Sequence, residues 1–172
     1  MKLSYGLFVI VFLTGLDQCS KMWIDRNIPL NDSIPIIPNF IGIAHIKNSG
    51  VSFGFLGNLP DSLRLPLLIG VSTIVSIAML YYLIRHWSTI DRFMKIALIL
   101  ILPGAFGNLL DRALYGVVTD FIQFCWFEIN FFSNNLADCF ISIGFIFLIL
   151  SAFFGAKEKS ALSSEVIEKH AI

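Results

Sequence analysis

The stretch Leu65-Pro66-Leu67-Leu68-Ile69-Gly70-Val71-Ser72-Thr73-Ile74-Val75-Ser76-Ile77-Ala78-Met79-Leu80-Tyr81-Tyr82-Leu83-Ile84 decides the fold. It runs 20 residues between Arg64 and Arg85 without a charge. That is the length an α-helix needs to cross a hydrocarbon core about 30 Å thick. Residues 139–156, between Asp138 and Lys157, give 18 more uncharged positions. Two other apolar runs are shorter, 14 residues at 3–16 and 15 residues at 96–110. Each can span only if its helix continues into the polar residues that follow. The first then takes in Asp17, Gln18 and Lys21 before Met22-Trp23-Ile24, and the third takes in Asn108, Asp111 and Arg112. Charges inside the membrane edge are costly and usually functional.

The rest of the composition agrees with a bilayer protein. Only 14% of the 172 residues are charged, 56% are hydrophobic and the mean hydropathy is +0.80, whereas soluble domains carry about a quarter charged residues. Twelve basic and twelve acidic residues balance, so no net field favours nucleic acid. The expected architecture is an all-α membrane protein of four transmembrane helices, near 3–24, 65–85, 93–112 and 136–156, forming one domain over 1–156. Lys and Arg divide seven to five between the two sides. The richer side, with Lys2, the 85–95 connection and the tail 157–172, is the cytoplasmic one by the positive-inside rule. Both termini then lie in the cytoplasm, and segments 25–64 and 113–135 face outward. The apolar start after Lys2 lacks a small-residue cleavage site and reads as an uncleaved anchor.

The outward segments carry local signals. Apolar and β-branched residues flank Asn48-Ser49-Gly50 on both sides, at 40–47 and 51–55, which predicts a small β-hairpin or sheet element. Residues 121–134 hold six aromatics and predict an external aromatic loop against the membrane surface. The tail predicts a frayed end. Cys19, Cys125 and Cys139 form no C-x-x-C pair, and His45, His86 and His170 are scattered, so neither a disulfide framework nor a metal site is expected.

Four carboxylates gather at the outer helix ends. Asp17 and Lys21 are i, i+4 and can pair as a purely structural ion pair. Asn108 and Asp111 are i, i+3 on one helix face, beside the planar donor fork of Arg112. Asp138, three residues after Asn135, fits an ordinary helix N-terminus, and Asp120 alone fits a solvated loop. Asp120 and Asp138 nevertheless open and close one external segment. Two such groups brought together repel when both are ionised and so share a proton. One can then activate water while the other polarises a carbonyl, which is peptide hydrolysis without a metal.

The chain resembles the bacterial lipoprotein signal peptidases, the signal peptidase II family, over nearly its whole length. Asp17-Gln18-Cys19-Ser20-Lys21 is similar to D-Q-x-[ST]-K, Asn48-Ser49-Gly50-Val51-Ser52-Phe53 to N-x-G-x-[AS]-[FW], and Gly107-Asn108-Leu109-Leu110-Asp111-Arg112 to G-N-x-x-D-R. Val118-Thr119-Asp120-Phe121 resembles V-x-D-[FM], and Asn135-Leu136-Ala137-Asp138 matches N-x-A-D. Thr119 and Cys139 depart from the commoner residues without touching either aspartate. The resemblance implies that Asp120 and Asp138 form a catalytic dyad. It implies supporting roles for Asp17, Lys21, Asn48, Gly50, Gly107, Asn108, Asp111, Arg112, Asn135 and Ala137, and no cofactor. The implied substrates are diacylglyceryl-modified prolipoproteins, cut N-terminal to the lipidated cysteine at the outer face of the inner membrane. Oligomeric state is left open, a monomer being sufficient. The competing readings are a proton channel, which wants carboxylates near mid-bilayer, and a non-catalytic scaffold in which the aspartates are caps and ion pairs.

Overall fold

The computed structural model describes residues 2–50, 60–127 and 129–170. Its helices are α1 (Leu3–Asn27), α2 (Asp61–His86), α3 (Arg92–Tyr115) and α4 (Leu136–His170). All four contain spans long and apolar enough to cross a membrane, the last over Leu136–Gly155. Large apolar side chains such as Phe8, Ile74, Tyr81 and Phe153 are exposed, as they are on helices whose solvent is lipid. Inside, Ile10, Leu83, Ile90, Leu98, Ile99 and Leu102 bury one another between α1, α2 and α3.

The α3–α4 crossing fixes the site. A Cβ on Gly104 would strike the Ala137 carbonyl oxygen, and one on Gly144 would lie 2.6 Å from Ile101 Cγ1. Small residues let the two backbones approach closely where no hydrophobic force drives association. That approach sets the first turn of α4 beside Asn108. At the C-terminal end of α3, Gly116 adopts a left-handed φ of 75°, which costs a glycine nothing, and the chain turns into a strand.

Four antiparallel strands follow the order β1 (Ser33–Ile37), β2 (Ile41–Asn48), β3 (Val118–Trp126), β4 (Ile129–Asn134). The β2–β3 ladder joins the two segments that lie between the helices, with Ile46 opposite Asp120 and Asn48 opposite Val118. Ile24, Ile28 and Phe121 are buried together, with Ile43, Ile122 and Leu136 packed on them, so the sheet is seated on the end of α1.

The structure departs from the sequence expectations in four places. The helices run past the expected bounds, α1 to Asn27 and α3 to Tyr115, because their polar ends are internally partnered. A hairpin that was not expected connects β1 and β2 through 38–40, while the expected one turns on Asn48-Ser49-Gly50. That triplet does turn, Gly50 N donating to Asn48 Oδ1 at 2.9 Å, but the expected second arm at 51–55 lies outside the described residues. The aromatic segment is the β3–β4 pair and no loop. The tail, expected to fray, continues α4 to His170, since Ala, Lys, Glu and Leu after Gly155 are good helix formers.

Candidate active site

The polar ends of α1 and α3 interlock first. Lys21 Nζ lies 2.9 Å from Asp17 Oδ2 and 3.0 Å from Asp111 Oδ2, and donates to Asn108 Oδ1 at 3.0 Å. Ala137 N donates to Asp17 Oδ1 at 2.9 Å, and Thr119 N to Asp111 Oδ2 at 3.2 Å. Asp17 is wholly buried, at 0% exposure. A Cβ on Gly107 would collide with the Asp17 carboxylate, so glycine there lets α1 and α3 close on the ion pairs. One lysine serves two carboxylates, and backbone N–H groups from the sheet and α4 complete them. The charges inside the bilayer edge are thereby paired.

The second pair of acids is held differently. Asp120 projects from β3, and accepts from Asn48 Nδ2 at 2.9 Å and from Asn135 Nδ2 at 2.7 Å. Asp138 accepts from Asn108 Nδ2 at 2.8 Å, while its backbone N–H donates to Asn135 Oδ1 at 3.0 Å. Asn135 is thus both the cap of α4 and the bridge between the two aspartates. No ion pair within 4.0 Å involves Asp120 or Asp138 among the described residues. Burial pushes the Asp120 carboxyl up to about 6; the Asp138 charge adds to this, while the Asn48 and Asn135 hydrogen bonds oppose it.

Asp120 and Asp138 line one cavity of about 380 Å³, with Asn48, Gly50, Asn108 and Arg112 at its polar end. Val71, Ser72, Val75 and Ser76 of α2, with Ala105, Val118 and Ile141, form the rest of the wall. Arg112 does not contact the aspartates closely. Its Nη2 donates to Gly50 O at 3.0 Å and its Nη1 to Asn108 O at 3.3 Å, tying the end of β2 to α3. Asp120, Asp138 and Arg112 are the titratable groups lining the cavity among the described residues. Two carboxylates facing a shared space, with neutral amides on each, can hold a water and one proton between them.

All twelve residues singled out in the sequence fall in these two layers. Asp120 sits on a strand, where a loop had been expected. Five further residues in or beside these layers were missed. Gln18 Nε2 donates to Gly107 O at 3.1 Å and to Asp111 Oδ1 at 2.9 Å; its place inside the Asp17–Lys21 motif was the available signal. Asp25, His45 and Lys47 form a cluster at the sheet, with Lys47 Nζ 2.7 Å from Asp25 Oδ1 and donating to Thr119 Oγ1 at 2.8 Å. His45 lies 2.9 Å from Asp25 and must donate through Nδ1 to Ile28 O at 2.7 Å, since a carbonyl only accepts. Their separation in the chain hid this cluster. Ser76, on the cavity wall, carried no signal at all.

A multi-pass membrane protein with two amide-held carboxylates in a cleft under a small sheet is the class that this geometry defines. Residues 9–154 match the family described as signal peptidase (SPase) II. The lipoprotein signal peptidase of Syntrophus aciditrophicus (strain SB) is 38% identical over 162 residues, covering 93% of this chain and 100% of that protein. That of Bartonella tribocorum (strain CIP 105476 / IBS 506) is 37% identical, over 84% of this chain and 85% of its own. A solved structure described as a bacterial membrane enzyme is similar with a TM-score of 0.77 at 30% identity, covering 91% of this chain and 92% of that one. The chain belongs to the signal peptidase II family, and is a multi-pass peptidase of the bacterial inner membrane.

Proposed function

We propose that this protein is an aspartic endopeptidase that removes signal peptides from lipid-modified prolipoproteins, cutting on the N-terminal side of the lipidated cysteine. The single observation that carries the mechanism is that Asp120 and Asp138 line the same cavity while each is held by neutral amides.

The raised Asp120 carboxyl keeps the shared proton and donates it as a hydrogen bond to the scissile carbonyl. Asp138 takes a proton from water as that water adds to the carbonyl carbon, and then passes it to the departing amide nitrogen. Asn48 and Asn135 fix the Asp120 plane, and Asn108 fixes Asp138. The Lys21 knot holds Asn108 and the first turn of α4 in place. Both termini are cytoplasmic and the cavity opens at the outer rim of the bundle. A cysteine carrying two acyl chains stays in the outer leaflet, so the bond just before it is delivered to that rim.

The test is D120N and D138N, each in the full-length protein, on a lipid-modified prolipoprotein in detergent or liposomes. Each should lower cleavage by at least about a thousand-fold, within the span of general acid–base contributions, with the thermal midpoint retained. Substantial cleavage by either variant contradicts the reading.

A further inference from the structure

Ser76 sits in the middle of α2 at 1% exposure, and its Oγ has no hydrogen-bond partner among the described residues. A serine inside a membrane helix ordinarily returns its hydroxyl to the carbonyl four residues back, as Thr14 does to Ile10 O at 2.9 Å. Ser76 does not. A buried hydroxyl with no partner is destabilising, and at such a position it calls for a reason. The position supplies one: Ser76 lines the cavity that holds Asp120 and Asp138, and Ser72, one turn earlier on the same face of α2, lines it too.

The remaining wall on this side is Val71, Val75 and Ile141, none of which offers a side-chain hydrogen bond. A ligand group that accepts from the Ser76 hydroxyl does so in an apolar place and is best uncharged, since no counter-charge is at hand on α2. A carbonyl oxygen fits both conditions. Resting on the peptidase reading above, we propose that Ser76 is a substrate-binding residue whose hydroxyl donates to a neutral carbonyl of the bound substrate. That carbonyl belongs either to the peptide near the scissile bond or to an acyl ester of the lipid on the cysteine. Substrate would thereby supply the acceptor that the Ser76 hydroxyl lacks among the described residues, which favours substrates that carry a carbonyl there.

The experiment compares S76A and S76T with the unaltered full-length enzyme in detergent, on two lipid-modified prolipoproteins that differ only in ester-linked or ether-linked chains on the glyceryl group. S76A should lower kcat/KM on the ester substrate about five-fold, near the worth of one hydrogen bond. S76T, which keeps a hydroxyl, should lose less than S76A. The substrate-free thermal midpoint of S76A should stay equal or rise, because a structural hydroxyl would lower it. A penalty that persists on the ether substrate assigns the carbonyl to the peptide, and one that vanishes there assigns it to the ester. Unchanged kcat/KM in S76A on both substrates overturns the proposal, as does a fall accompanied by a lowered midpoint. No cleavage by the unaltered enzyme overturns the peptidase reading and this inference with it, whereas normal cleavage with S76A equal to it overturns this inference alone.

Discussion

The four acids at one end of the bundle divide into two pairs with opposite surroundings. Asp17 and Asp111 share Lys21 at 2.9 and 3.0 Å and receive backbone N–H groups besides. Among the described residues, Asp120 and Asp138 receive only side-chain amides, and they face a cavity. Carboxylates taken up by a shared cation and neutral donors hold helices together but have nothing left to give a substrate. Amide-held carboxylates in a cleft keep their proton affinity adjustable, and that is the requirement of acid–base work. The two layers meet at Asn108, whose Oδ1 accepts from Lys21 and whose Nδ2 donates to Asp138.

The contrast can be broken most forcefully at Lys21. Replacing it in K21M leaves two buried carboxylates without their cation, which should cost about 3–5 kcal/mol and show as a large drop in unfolding midpoint in detergent. A K21M protein of normal stability that has lost cleavage would place Lys21 in the chemistry and erase the division. Asn48 offers a finer probe. Its donor favours ionised Asp120, so N48A should raise the Asp120 carboxyl further. In the unaltered enzyme kcat/KM should fall as pH rises through about 6, because the shared proton is then lost. In N48A that alkaline limb should move up by roughly one pH unit or less, the worth of one hydrogen bond. An unmoved or lowered limb contradicts the assignment. The smallest effect is expected at the β3–β4 turn, where Trp126 and Phe127 are 57% and 65% exposed and meet edge-on at 5.6 Å. If they close over substrate, W126A/F127A should lower cleavage roughly two- to five-fold, the scale of modest lost apolar burial; unchanged turnover removes that role.

Hydropathy made the helices legible because a bilayer leaves a backbone few options but to satisfy itself within a helix. Length alone required the short first and third runs to extend through charged residues, and α1 and α3 do extend through Asp17–Lys21 and Asn108–Arg112. The sheet was only half legible. Local turn signals near Asn48 pointed to a hairpin, yet β2 pairs with β3, far along the chain, and non-local pairing leaves no periodic trace in either strand. Placing Asp120 beside Asn48 depends on that pairing, so the amide held against it could not be read from spacing. The motifs named the residues gathered around the cavity, Gln18 among those they quote, whereas Ser76 became visible only through what surrounds it in space.

The most direct test of the division is an infrared titration of the substrate-free protein in detergent, subtracting D120N from the unaltered enzyme. A protonated-carboxyl absorption that belongs to Asp120 should be present at pH 5 and lost as pH rises through about 6. A difference spectrum with no such band at pH 5 would contradict that division, because Asp120 would then hold no proton to share with Asp138.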